Sequence, residues 1–231
     1  MTSVQRVTKR IPPLCNGDHL TVAEFERRYE AMPDVKKAEL IEGVVYMPSP
    51  VTMVYHGKPN GHLLTWIGHY SAYTEGTEFG DNATLKLLVG ENQPQPDAQL
   101  RILPEFGGQS KTEDGYVVGG VELAGEVSAS NVSYDLHEKL LAYEKNNILE
   151  YIVWRVEDEE IDWFILKARK YKRLTAKDGI YRSKVFPGLW LDSDAMITGN
   201  LAKVLDVVQQ GIASEEHQRF VTKLSKQKQS E

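Results

Sequence analysis

This sequence of 231 residues has one cysteine and no excess of positive charge. It also has no long apolar run. The single cysteine, Cys15, excludes an internal disulfide and a cysteine-based zinc site, and this composition suits a reducing compartment. No apolar signal core follows the N-terminal residues, and no run approaches the ~20 apolar residues that cross a bilayer. We therefore expect a cytoplasmic protein without a membrane segment.

The charge balance is acidic, with 33 Asp and Glu residues against 27 Lys and Arg residues and a formal net charge of -6. This balance counts against a broad, sequence-independent nucleic-acid binder, because such proteins carry a strong basic excess. It does not exclude an enzyme that concentrates cations around one cleft, since acidic metal ligands lower the net charge themselves. The sequence also lacks the G-x-S-x-G, Walker and H-E-x-x-H patterns of other catalytic classes.

The pattern of apolar and turn-forming residues predicts a helix, a hairpin, a helix, several strands, a helix and then a β-rich section. This order favours an α/β fold with a mixed central sheet flanked by helices and a β-rich C-terminal half of the domain. We expect an irregular arm over residues 1–20, the main domain over 21–192 and a helical extension over 193–231. Other predicted segments are a hairpin over 37–47, strands over 84–89, 97–103 and 120–128, a loop over 104–116, a helix over 133–146 and a hairpin over 171–186 around the turn 177–179.

Two acids in the middle of the chain carry chemical information. Asp97 opens a predicted strand, where a carboxylate is common as a turn or cap residue. Glu126 lies in the apolar run 120–128, and an ionised acid inside a sheet is costly unless it is paired or coordinates a cation. A lysine partner or a Mg²⁺ ion, which prefers oxygen ligands, would each remove that cost.

Lys139 follows Glu126 on the next predicted helix. At ~100° per residue it lies ~60° from Leu136, at the edge of the apolar face, and therefore points partly towards the sheet. Two structural interpretations stay open beside a functional one. Lys139 is either a lysine whose stem covers apolar surface or the i,i+4 partner of Asp135.

Glu39 shares a predicted strand face with Ile41, and the pattern alone favours a solvent-facing edge position over a buried one. His56 and His62 have side chains of the kind that serve as metal ligands, bases or phosphate contacts. Structural histidines are commoner, so the sequence assigns neither of them a role.

Short motifs follow one another in a fixed order along most of the chain. They are Glu39-Leu-Ile-Glu-Gly43, Met47-Pro-Ser-Pro50 with His56, Pro96-Asp97, Glu126-Val-Ser128, Asp135 and Lys139 with Tyr143, and Ile148-Leu-Glu-Tyr-Ile152. Each motif is weak alone, but their order and spacing resemble the Uma-type family of putative restriction endonucleases, within the PD-(D/E)xK nuclease superfamily. The resemblance extends from about Thr21 to Leu191.

The resemblance implies a restriction-endonuclease-like fold and metal-dependent hydrolysis of DNA phosphodiester bonds. By position, Asp97 and Glu126 match the metal-binding acids, with the Val127 carbonyl beside them, and Glu39 matches an additional acid. Lys139 matches a catalytic lysine that has moved from the strand to the next helix. The expected cofactor is Mg²⁺, with Mn²⁺ as a substitute, and the expected partner is DNA. Analogy with restriction-type nucleases implies a homodimer.

The superfamily pattern has a lysine where this chain has Ser128, and two alternatives to an active DNA endonuclease stay open. One is a catalytically inactive module with the same fold, which binds DNA or protein. The other is an unrelated hydrolase in which Glu126 and Lys139 form a buried structural ion pair.

Overall fold

The computed structural model describes residues 10–48, 50–129 and 132–228 of the chain. Its helices are α1 (Val22–Glu30), α2 (Lys58–Ala72), α3 (Val132–Tyr134), α4 (Leu140–Lys145), α5 (Ser193–Ile197), α6 (Leu201–Ile212) and α7 (Glu215–Lys228). Its strands are β1 (Glu39–Ile41), β2 (Val44–Tyr46), β3 (Thr77–Gly80), β4 (Leu85–Lys86), β5 (Ala98–Ile102), β6 (Lys111–Glu113), β7 (Tyr116–Val118), β8 (Leu123–Ser128), β9 (Glu150–Arg155), β10 (Glu160–Lys167), β11 (Lys170–Arg173), β12 (Ile180–Arg182) and β13 (Trp190–Asp192). Two π-helical turns, Met53–Gly57 and Asp135–Lys139, lead directly into α2 and α4.

A six-stranded mixed sheet forms the centre of the fold, in the order β11-β10-β9-β8-β5-β3. Strands β8 and β9 are parallel, and the other neighbours pair antiparallel. Every residue of β8 is buried, as expected of a strand that is covered on both faces. The predicted α/β class, with a mixed sheet between helices, is therefore confirmed.

The two faces of this sheet have separate apolar cores. On one face α2, α6 and α7 pack against the strands, and Trp66 and Trp163 meet edge to face with ring centroids 5.8 Å apart. On the other face Tyr143 and Tyr151 also meet edge to face, with ring centroids 4.9 Å apart. The aromatic pairs therefore fix helices to both sides of the central strands.

The hairpin of β1 and β2 forms where the sequence predicted it. Glu42 and Gly43 both have positive φ angles, 48° and 78°, which a type I′ turn requires at its two central residues. Phe25 of α1 packs with Leu40 in a small third core beneath the hairpin. Leu40 also exchanges two backbone hydrogen bonds with Gln93, and these bonds tie the hairpin to the segment that leads into β5.

Two predictions for the middle of the chain are wrong. The strand over 84–89 is reduced to β4, because the chain turns back at Leu87, whose N–H donates to Asn92 O at 3.3 Å. The predicted loop over 104–116 contains β6 and the start of β7. Asp114 and Gly115 join these strands with positive φ angles of 49° and 81°. An Asp-Gly pair is a strong hairpin signal, and the loop prediction missed it.

The predicted hairpin over 171–186 does not form either. Its turn is present, since Lys177 and Ile180 exchange two backbone hydrogen bonds of 3.0 Å. The two arms pair elsewhere, β11 with β10 and β12 with β13. Tyr171 holds β11 beside the central sheet, because its ring contacts Tyr151 and its hydroxyl donates to Ile148 O at 2.7 Å.

Helices α6 and α7 pack into the same core as the main sheet, through Val204, Val208, Phe220 and Leu224. The division into an arm, a main domain and a C-terminal extension stays a prediction, and residues 1–9 of that arm lie outside the described residues. No helix in the described ranges combines the length and the apolar character that a membrane crossing needs.

Candidate active site

The sheet brings two of the predicted acids close together. The antiparallel pairing of β5 and β8 ends with Ala98 opposite Gly125, and Asp97 and Glu126 are the next residues beyond this pair. The two acids are close enough for the charge of Asp97 to raise the pKa of Glu126. Both side chains are buried, which places two carboxyl groups in a region with little water.

Lys139 and Tyr143 reach Glu126 from the helix that follows β8. The Lys139 ammonium group lies 2.9 Å from Glu126 Oε1, and the Tyr143 hydroxyl donates to the same oxygen at 2.9 Å. Their spacing of four residues places both side chains on the face that covers the sheet. The helical spacing predicted this inward direction for Lys139, whose side chain is only 3% exposed.

Two more carboxylates lie near the same ammonium group. Glu39 Oε1 lies 3.0 Å from Lys139 Nζ and accepts a hydrogen bond from the Gln95 backbone N–H at 2.6 Å. Asp135 Oδ1 lies 3.8 Å from Lys139 Nζ and belongs to the π-helical turn. The solvent-facing position that the pattern favoured for Glu39 is wrong, because its ion pair with a distant lysine makes burial of the acid possible.

Asp97 has a separate set of partners. Its Oδ2 accepts a hydrogen bond from the Val127 backbone N–H at 2.9 Å and lies 3.2 Å from His56 Nε2. Its Oδ1 lies 3.2 Å from Lys37 Nζ. The sequence assigned His56 no role and did not single out Lys37. Lys37 stands two residues before Glu39, and this period-two spacing in an extended segment was the available signal.

The second histidine, His62, lies beside Lys58 and Gly199. Burial and the charge of Lys58 both lower the pKa of His62. His62 is therefore neutral at physiological pH, and its surroundings give no reason to place it with the acids.

The two neighbouring acids differ in their electrostatics. Burial by itself would raise the pKa of Asp97, but His56 and Lys37 outweigh burial and hold that pKa well below its usual range. Burial raises the pKa of Glu126 to about 8, and Lys139 only partly opposes this. Burial would lower the pKa of Lys139, but the surrounding carboxylates raise it well above its usual value. Lys139 is therefore charged, and the pocket holds more acid than this lysine neutralises.

The donor set suits a hard divalent cation in its chemistry. Asp97 and Glu126 supply carboxylate oxygens from neighbouring positions. The Val127 carbonyl points towards the same neighbouring strand as its N–H, which donates to Asp97. In the described part of the chain, however, no three Asp, Glu, His or Cys side chains converge closely enough to hold a metal ion. Lys139 occupies the space between Glu39 and Glu126.

The model of the family described as "Uma2: Putative restriction endonuclease" matches residues 22–194. The chain belongs to the Uma2 family. This membership confirms the resemblance that the ordered motifs predicted, and it supports a nuclease function in general terms.

The fold of this Uma2 protein is similar to that of a crystal structure described as "a putative nuclease belonging to DUF820" from Anabaena variabilis ATCC 29413. The TM-score is 0.55, and the match covers 82% of this chain and 99% of that chain at 12% sequence identity. At this identity the likeness shows the fold alone. No curated protein matches the sequence.

Proposed function

We propose that this Uma2 protein is a Mg²⁺-dependent endonuclease that hydrolyses phosphodiester bonds in DNA at the pocket of Asp97 and Glu126. The observation that carries the proposal is the closeness of these two acids, with Lys139 bound to one of them. Membership of the Uma2 family supports the reaction class. The surplus of buried acid supports a divalent cation as the cofactor.

Asp97, Glu126 and the Val127 carbonyl would hold the metal, with Glu39 contributing directly or through a water molecule. When bound, Mg²⁺ would activate a water molecule and stabilise the charge that builds on the phosphate, and Mn²⁺ would substitute for it. Because carboxylate ligands must be deprotonated, the lowered pKa of Asp97 favours metal binding, whereas burial of Glu126 opposes it and the charge of Lys139 partly offsets that effect.

Neighbouring residues keep these acids in place. Lys139 contacts both Glu126 and Glu39, so it fixes two carboxylates from different strands relative to each other. Tyr143 further restricts Oε1 of Glu126. Such positioning matters because small displacements of reacting groups cost large factors in rate. A direct role of Lys139 on the nucleophile or the transition state stays a prediction, and the three carboxylates around its ammonium group favour the positioning role instead.

A second candidate is a catalytically inactive module with the same fold that binds DNA or protein. The observation that favours it is the ion pairing of Lys139, which compensates Glu39 and Glu126 without a metal ion. The two candidates differ in metal binding, because an inactive pocket held by Lys139 gains no stability from Mg²⁺ or Mn²⁺. The homodimer and the cytoplasmic location stay predictions under either candidate.

Cleavage of a supercoiled plasmid in the presence of Mg²⁺ tests the proposal. Wild-type protein is expected to nick or linearise the plasmid, EDTA is expected to stop the reaction, and Glu126→Gln is expected to abolish it. Glu122→Gln is the matched control, because Glu122 is also buried but accepts hydrogen bonds from the backbone N–H groups of Ile102 and Gln109. Cleavage by Glu126→Gln at the wild-type rate would contradict the assignment of this residue.

A further inference from the structure

The nitrogen-bearing side chains around the acids fall into two groups that differ in access to solvent. The Lys139 side chain is 3% exposed, whereas the Lys37 and His56 side chains are 24% and 20% exposed. Lys37 and His56 contact different oxygens of Asp97. A molecule that approaches the acids from solvent therefore meets these two side chains before it meets Lys139.

Lys139 is poorly placed to contact a substrate. Its ammonium group has Glu126, Glu39 and Asp135 within 4 Å and lies 5.4 Å from the ring centre of Tyr134. An ammonium group has three N–H donors, and three carboxylates already surround this one. Leaving them would strand buried acids without compensation, which is strongly unfavourable. Lys139 therefore acts on the acids themselves.

Lys37 is held in position but keeps donor capacity. Its ammonium group lies 3.2 Å from Asp97 Oδ1 and 2.7 Å from Asn82 Oδ1. These two acceptors use two of its three N–H donors. Asn82 is fixed in turn, because its side-chain amide donates to Asp81 Oδ1 at 2.6 Å. The amine is thus oriented from two sides beside one of the proposed metal-binding acids.

The amine of Lys37 is a compact point charge whose three donors can turn towards different acceptors. A charged amine with a spare donor, next to a carboxylate that binds hard cations, is the combination that recognises a phosphate oxygen. The neighbouring lysine, Lys36, is exposed, and its amine lies 3.5 Å from Pro33 O.

We propose that Lys37 binds the phosphodiester of the DNA substrate at this site, with Asp97 and Asn82 orienting its amine. This inference deepens the proposed function and rests on it for the substrate class. His56 holds the other oxygen of Asp97, so it keeps the carboxylate turned towards Lys37 rather than contacting the phosphate itself.

The test measures DNA binding in EDTA, where no metal-dependent cleavage occurs, by the fluorescence anisotropy of a labelled DNA duplex. Lys37→Met is expected to weaken binding about tenfold at ~50 mM salt and to reduce the slope of log K against log salt by ~1. Lys37→Arg is expected to keep both the affinity and the slope close to wild type. Lys36→Met is the matched control and is expected to change affinity less than about twofold.

Three results would overturn the proposal. The first is binding of Lys37→Met with wild-type affinity and slope, and the second is a wild-type protein that does not bind the duplex. The third is a loss of affinity at an unchanged salt slope, because that pattern indicates a structural effect transmitted through Asp97. Binding in EDTA does not depend on cleavage. A protein that binds through Lys37 but cuts no plasmid would therefore support this inference and contradict the endonuclease.

Discussion

Lys139 Nζ lies 2.9 Å from Glu126 Oε1, in an ion pair between a helix and the central sheet that is almost closed to water. This pair explains how the middle of a wholly buried strand tolerates an acid. A pair of this kind is compatible with a metal-dependent pocket and also with a purely structural role. Stability and metal binding therefore have to be measured separately.

Replacing Lys139 by methionine is expected to lower the free energy of unfolding by about 3–5 kcal/mol. The substitution keeps most of the side-chain volume but leaves Glu126 and Glu39 buried without their shared cation. Urea denaturation followed by tryptophan fluorescence measures the loss. Lys145→Met is the control, since Lys145 is exposed and its ion pair with Glu42 lies at the surface. That change should cost ~0–1 kcal/mol, and equal losses in both variants would argue against a buried ion pair.

Millimolar Mg²⁺ is expected to raise the thermal unfolding midpoint of the wild-type protein, because a ligand that binds only the folded state stabilises it by mass action. A dissociation constant one hundredfold below the Mg²⁺ concentration corresponds to ~2.7 kcal/mol. Asp97→Asn and Glu126→Gln are expected to lose this effect, whereas Glu122→Gln is expected to retain it. Differential scanning fluorimetry with and without EDTA gives the comparison. A wild-type midpoint that does not respond to Mg²⁺ or Mn²⁺ would favour the inactive module.

Local patterns singled out Glu126 and Lys139, whereas the proposed roles of Asp97 and Glu39 rest on the family resemblance. Glu126 interrupts an apolar run, and Lys139 lies at a known angle on a helix with a clear period. For Lys37 only its period-two spacing from Glu39 was available, and for His56 no local pattern indicated a contact with Asp97. Lys37 lies 60 residues before its partner Asp97, and only the folded sheet brings the two together.

In the fold, too, elements that depend on neighbouring residues were predicted, whereas pairings that depend on distant contacts were not. The buried strand β8 and the turn at Glu42 and Gly43 follow from apolar runs and turn chemistry, and both were predicted. The partners of β11 and β12 depend on contacts outside their shared turn, such as the hydrogen bond from Tyr171 to Ile148 O. The residue pattern of one segment alone therefore does not determine which strand it pairs with.

Gly120 is expected to resist substitution because another part of the backbone lies against it. A Cβ atom at this position would lie 2.3 Å from Asn146 O, so the segment before β8 or the end of α4 has to move in Gly120→Ala. Such overpacking costs about 1–3 kcal/mol. Gly61→Ala is the opposite case, because the described residues place nothing within 4 Å of its Cβ position, and Ala should stabilise α2 by ~0.5–1 kcal/mol. Chemical denaturation should show changes of opposite sign, and a neutral Gly120→Ala would mean that the two segments separate easily.

His217 joins α7 to α2 in a buried contact. Its Nε2 lies 2.9 Å from Thr74 Oγ1, and the Thr74 hydroxyl donates to Tyr70 O at 2.8 Å. The Tyr70 ring packs edge to face on the imidazole, with centroids 5.5 Å apart. The tautomer of His217 decides whether Nε2 or the Thr74 hydroxyl is the donor in this bond.

The stability of the fold is expected to fall on acidification through His217. Burial lowers the pKa of His217 in the folded chain, although the backbone carbonyl of Ile212 opposes this. Below the unfolded value of ~6.5 the unfolded chain therefore binds more protons, so stability is full above that pH and is lost as pH falls. Thermal unfolding midpoints between pH ~7.5 and ~5.5 should fall further for wild type than for His217→Gln, which can still form a hydrogen bond with Thr74 but does not titrate. His19→Gln, an exposed control, should follow wild type. Parallel pH profiles of wild type and His217→Gln would show that this histidine does not link folding to protons.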